Sequence, residues 1–185
     1  MHGDIHVKSE LGKGSTFTFV VEAEVVAWDH ETPQAEASAQ DESVSGMRVL
    51  VVEDHPVNRM ILEAWMGSNG HEAHSAEHGQ MAVEMCDQQA YDLIVMDVNM
   101  PVMDGLEATR CIREGQSANA DTPIIVLSAS ARAEDHRAGF AAGADAYLNK
   151  PIDFRQLATF MQVGSAGRAS LRSLSDGADI ECAAA

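Results

Sequence analysis

Basic charge is scarce in this chain: 12 Lys and Arg stand against 29 Asp and Glu, a formal net charge of -17 over 185 residues. A nucleic-acid binder needs a basic stripe to displace counterions from phosphates, so that class is excluded. A basic partner surface or bound cations suit such a chain instead. Cysteine is also sparse: Cys86, Cys111 and Cys182 are odd in number, far apart and free of any C-x-x-C spacing. That pattern points to reduced thiols rather than a disulfide framework. No apolar stretch approaches the ~20 residues of a membrane span. The N-terminus lacks the basic-then-apolar order of a signal peptide, and the expected location is cytoplasmic. The eight His are scattered, and none is assigned a metal-ligand role.

What the chain does have is 45% hydrophobic residues, enough for one domain of ordinary size with appendages. Four short apolar runs each end on a polar residue. Val49-Leu50-Val51-Val52 runs into Glu53-Asp54, Leu93-Ile94-Val95-Met96 into Asp97, Ile124-Ile125-Val126-Leu127 into Ser128, and Ala146-Tyr147-Leu148 is followed by Lys150-Pro151. Apolar runs without polar alternation, separated by helical patterns, predict strands of a parallel sheet buried on both faces. Ligands of such sheets bind beyond the carboxyl ends of the strands, so the four polar positions converge on one edge.

Residues 4–8 and 16–22 alternate in period two around Gly12-Lys13-Gly14-Ser15 and predict a β-hairpin within residues 1–26. Its alternation gathers Ile5, Val7, Phe17, Phe19 and Val21 on one apolar face, which invites self-association. Residues 27–46 carry five acids and no Lys or Arg, lack apolar periodicity, and predict an acidic flexible linker. From Met47 strand and helix alternate five times, to about Gln162. Val57, Met60, Ile61, Ala64 and Trp65 mark the apolar stripe of the first helix. Met60, Met96, Met100 and Met103 are expected as core filler. Beyond Val163 periodicity fades, so residues 164–185 are expected to be mostly disordered.

Three carboxylates at one edge repel each other and resist desolvation, so at least one pKa should rise unless a cation compensates. A hard cation that prefers oxygen ligands, such as Mg²⁺, answers that need. With the metal and Lys150 drawing charge off a phosphoryl group, one carboxylate can attack phosphorus. Asp97 is the candidate nucleophile because it stands alone at the end of the central strand; the adjacent Glu53 and Asp54 suit metal holding. Ser128 could be no more than a helix cap and Lys150-Pro151 no more than a turn, but both fall at the same edge as Asp97.

The motifs Val49-Leu50-Val51-Val52-Glu53-Asp54, Val95-Met96-Asp97-Val98-Asn99-Met100-Pro101-Val102-Met103-Asp104-Gly105, Leu127-Ser128-Ala129 and Ala142-Gly143-Ala144-Asp145-Ala146-Tyr147-Leu148-Asn149-Lys150-Pro151 resemble a response-regulator receiver domain over residues 47–163. The resemblance implies a flavodoxin-like α/β fold, doubly wound around a five-stranded parallel sheet of order 2-1-3-4-5. It implies that Asp97 is the phosphoacceptor, that Asp54 and the Asn99 carbonyl bind Mg²⁺, and that Glu53 reaches the metal through water. Ser128 and Lys150 would contact the acyl phosphate, and Tyr147 would be the aromatic switch. Asn99 and Ser130 occupy positions flanking the site.

Pro56-Val57-Asn58 resembles the receivers of hybrid histidine kinases, and residues 1–24 resemble the last glycine-rich box and closing strands of a histidine-kinase ATPase domain. The expected whole is then a C-terminal piece of a hybrid kinase. It lacks the phosphorylatable His box and the ATP-binding Asn box, and is confined to self-phosphorylation and autodephosphorylation chemistry. The expected partners are a histidine-kinase phosphodonor and a histidine phosphotransfer protein, with no nucleic acid and no membrane segment. The alternative is a haloacid-dehalogenase-type phosphatase with Asp97 as nucleophile. That family resembles a D-x-D nucleophile first and the acidic pair last, the reverse of the order here. A transcription factor would need a DNA-binding domain after the receiver, for which the remaining residues are too few and too acidic.

Overall fold

The computed structural model describes residues 3–10, 14–21, 46–129 and 132–174. The expected linker and Ser130 lie almost wholly or wholly outside the described residues, as does the tail beyond 174. The chain divides into two units, and each stands by itself.

The first unit holds β1 (Gly3–Glu10) and β2 (Gly14–Val21), an antiparallel pair. Ile5 pairs with Phe19 and Val7 with Phe17. Val7 and Val20 are exposed.

The second unit carries β3 (Arg48–Val52), α1 (Pro56–Ser68), β4 (Glu72–Ala76), α2 (Gly79–Gln88), β5 (Leu93–Asp97), α3 (Gly105–Glu114), β6 (Ile124–Ser128), α4 (Ala133–Ala142), β7 (Ala146–Asn149) and α5 (Phe154–Gly164). A short 3₁₀ turn, Ala118–Asp121, precedes β6. The five strands of this unit pair in parallel in the order β4-β3-β5-β6-β7, the doubly wound 2-1-3-4-5 sheet expected. β5 and β6 are buried throughout, which is why their sequences show no polar alternation. Alternate residues divide between two cores: Val49, Val51, Leu93 and Val95 pack with Leu62, Met66, Leu157 and Phe160, whereas Leu50, Val52, Ile94 and Met96 pack with Ala82, Cys86, Ala108 and Ile112. Burial pushes the Cys86 thiol up to about 12, which suits a core filler rather than a reactive group.

Two expectations are corrected. On α1 the buried residues are Leu62 and Met66, while Val57, Met60 and Ile61 are each about half exposed or more, so Met60 is not core filler. The helix is apolar on more than one side, and periodicity alone could not say which stripe faces the sheet. The expected disorder from 164 is also wrong in its first part. Residues 168–174 are helical, Leu171 is fully buried in the first core, and Arg168 and Arg172 bind Asp145.

That Asp145, fully buried just before β7, is the hub of the sheet's amino end. Its carboxylate accepts from Arg113 at 2.7 Å, Arg168 at 3.0 Å, Arg172 at 2.9 Å and the Ile124 backbone at 3.0 Å. At the same end Gly46, where the receiver begins, lines one shallow cavity with Pro123, Gly164 and Gly167.

Candidate functional site

The opposite, carboxyl end of the strands gathers the acidic residues expected of it. Asp97 closes β5, and Glu53 and Asp54 follow β3 on the adjacent strand. Ligand oxygens of Glu53, Asp54 and Asp97 all lie within 4.8 Å of one another, the one such group among the described residues. Glu53 and Asp97 are buried, and Asp54 is exposed at the rim. Hard carboxylate oxygens at this spacing fit a divalent cation of the magnesium type, and a thiol- or imidazole-seeking metal finds no ligand in the cluster.

Lys150, just after β7, reaches into the cluster. Its ammonium lies 2.7 Å from Glu53 Oε2 and 2.9 Å from Asp97 Oδ2. Burial pulls against its charge, but the hydrogen bonds to Glu53 and Asp97 outweigh that and hold its pKa above the ordinary lysine value. For Asp97 the balance runs the other way. Burial pushes its carboxyl above the usual range, Glu53 adds to the rise, and Lys150 and the Asn99 amide offset only part of it. An acidic edge with one ammonium for three carboxylates is therefore short of positive charge.

Close packing of the backbone aims these groups. Gly105 opens α3 against the end of β5, where a Cβ would come within 1.9 Å of the Asp97 carbonyl oxygen. Only glycine permits that approach. Asp104 caps the same helix by accepting from Glu107 N at 2.8 Å. Between them and Asp97 runs the loop with Val102, exposed and at φ 71°, a left-handed conformation that a β-branched residue adopts only under strain.

Ser128 is buried at the end of β6, one rung past the pairing of Asp97 with Leu127, and its carbonyl accepts from the Lys150 backbone at 2.8 Å. Tyr147 is buried on β7, stacked on His136 at 4.7 Å and tilted against Phe140 at 5.4 Å. Its hydroxyl occupies the space where any Cβ on Gly139 would stand, so Gly139 is what lets the ring lie against α4. Glu53, Asp54, Asp97, Ser128 and Lys150 thus lie at one edge of the sheet, with Tyr147 two residues further back on β7.

Two neighbours had no site role assigned from the sequence. Asn58 Nδ2 donates to Glu53 Oε1 at 3.0 Å, and Arg59 donates to the Glu53 carbonyl at 2.9 Å while pairing with Glu77 at 2.9 Å. The only signal available was their place in the first turn after the acidic pair.

The model of the response regulator receiver domain matches residues 49–162. Sensor protein EvgS of Escherichia coli K12 is 34% identical over 161 residues, which cover 87% of this chain and 13% of that relative, so the chain spans about one eighth of its length. Among solved structures, the receiver domain of sensor histidine kinase PA1611 from Pseudomonas aeruginosa, with a magnesium ion coordinated in its active site cleft, is 37% identical with a TM-score of 0.61, covering 66% of this chain and 99% of that one. A Saccharomyces cerevisiae complex of the histidine phosphotransfer protein Ypd1 with the receiver domain of Ssk1 is 28% identical with a TM-score of 0.61, covering 66% of this chain and 90% of that one. None of this supports the haloacid-dehalogenase alternative. No helix among the described residues is long and apolar enough to cross a membrane.

Proposed function

Because the chain belongs to the response regulator receiver family, we propose that it accepts a phosphoryl group from a phosphohistidine onto Asp97 and passes it to a histidine phosphotransfer partner, within a hybrid sensor histidine kinase. The observation that carries the proposal is Asp97 at the end of the central strand, with Lys150 at 2.9 Å and two further carboxylates beside it.

In the transfer, an Asp97 carboxylate oxygen attacks phosphorus in line. The new O–P bond forms as the N–P bond to the donor imidazole breaks, and the nitrogen leaves with the electron pair. Asp54, Asp97 and the Asn99 carbonyl would hold Mg²⁺, with Glu53 reaching it through water, and the cation would supply the positive charge that the edge lacks. Lys150 is already in place to neutralise an oxygen of the arriving group, and the Ser128 hydroxyl would donate to another. Drawing Ser128 toward the phosphate opens room for Tyr147 to move, which is the switch. The partner would dock on the exposed Val57, Met60 and Ile61 of α1, directly after the acidic pair.

Residues 1–26 are read as the closing hairpin of the kinase ATPase domain and 27–46 as a tether. Self-association through the hairpin would show as a concentration-dependent mass that is lost on removing 1–46. The deciding experiment for the function is incubation with Mg²⁺ and acetyl phosphate followed by intact mass. The expected result is one added phosphoryl group on the wild type and none on Asp97→Asn. Equal labelling of both proteins would overturn the assignment of Asp97.

A further inference from the structure

Glu53 is one methylene longer than an aspartate, has one more torsion to fix, and is only 1% exposed. Both of its carboxylate oxygens are engaged. Oε2 accepts from Lys150 at 2.7 Å, and Oε1 accepts from the Asn58 amide at 3.0 Å. The next residue fixes the main chain beneath it, with Arg59 donating to the carbonyls of Glu53 at 2.9 Å and Asp54 at 3.4 Å. Two consecutive residues in the first turn of α1 thus reach back onto the acidic pair, one to its side chain and one to its backbone.

Building on the receiver function proposed above, we infer that Asn58 is a positioning residue that sets how Glu53 is presented to the metal and to Lys150. A neutral amide can hold Oε1 without competing for a cation, whereas a charged donor would add to the ammonium already there. With Oε1 held, Glu53 offers Lys150 a single oxygen, and the ammonium remains shared with Asp97 at 2.9 Å. With Oε1 released, the carboxylate turns freely about its terminal torsion. It can then offer the ammonium either oxygen and turn away from the cation. The supporting partner of a ligand group orients it, and loss of such a partner lowers metal affinity roughly 10- to 100-fold.

The test is a double-mutant cycle read by calorimetric Mg²⁺ titration and by the Mg²⁺ dependence of acetyl-phosphate labelling. Asn58→Ala should raise the Mg²⁺ dissociation constant about tenfold while the labelling rate at saturating Mg²⁺ stays within about twofold of wild type. In a Glu53→Asp background the shorter acid cannot reach residue 58, so adding Asn58→Ala should change the dissociation constant no further. A purely structural role for Asn58 would lower affinity equally in both backgrounds, and that result overturns the inference. So does an unchanged dissociation constant for the single variant in a protein whose wild type binds Mg²⁺ and labels. A wild type that neither binds Mg²⁺ nor labels would instead bring down the receiver function itself, and this inference with it.

Discussion

The two ends of the receiver sheet each bury a carboxylate among cations, with opposite balances. At the carboxyl end Asp97 shares one ammonium with Glu53 and keeps a raised pKa, so the charged form is disfavoured there. At the amino end Asp145 takes three guanidinium groups and a backbone amide. Burial, opposed by Asp145 but helped by Arg168 and Arg172, lowers Arg113 to about 10, still charged at neutral pH. The lesson is that a buried acid short of positive charge is poised to receive a cation or to react, whereas one supplied to excess is a clamp.

The comparison breaks first at the clamp. Asp145→Asn should cost about 3–5 kcal/mol, because removing one partner leaves the largely buried Arg113 guanidinium uncompensated. Urea unfolding measures it, and a loss under about 1 kcal/mol would make the cluster an ordinary surface network. At the other end, Mg²⁺ at a hundredfold excess over its dissociation constant should stabilise the wild type by about 2.7 kcal/mol. Asp54→Ala should abolish that gain, read as a melting shift with and without metal, and a retained shift would remove Asp54 from the metal site.

Sharper still is the sign at Asp97. Its carboxyl titrates above the ordinary aspartate value, so the folded state is penalised at every pH above that raised pKa. The penalty fades as pH falls through it toward the unfolded value of about 4. Metal-free Asp97→Asn should therefore be more stable than wild type at pH 7, with the difference closing on acidification. A variant that is less stable at pH 7 would show that the Lys150 contact outweighs burial. The smallest effect concerns Val102, whose left-handed backbone strains the loop between β5 and α3. Val102→Asn should stabilise the protein by about 0.5–1 kcal/mol, measured by thermal unfolding with labelling unchanged.

Much of the reactive end was legible in the sequence because each of its residues terminates an apolar run, and parallel strands carry run ends to one edge. Glu53, Asp97, Ser128 and Lys150 needed no knowledge of distant contacts. The clamp had no such signal. Asp145 meets Arg113, Arg168 and Arg172 across gaps of 32, 23 and 27 residues, and nothing local marks them as partners. Residues 168–174 present one buried apolar side chain, Leu171, with Leu174 partly buried, too little for periodicity to detect. Asn58 was equally silent, because its partner lies one turn back on a loop whose path only the fold determines.

The shared cavity at the amino end has a consequence for how this unit is wired into a longer chain. Gly46 and Gly167 border the same hollow, so the polypeptide arrives and turns back at one pole while the acidic edge faces away from it. A unit whose described backbone begins at the pole opposite its acidic edge keeps its chemistry clear of that end, the condition under which domains tolerate insertion into other chains.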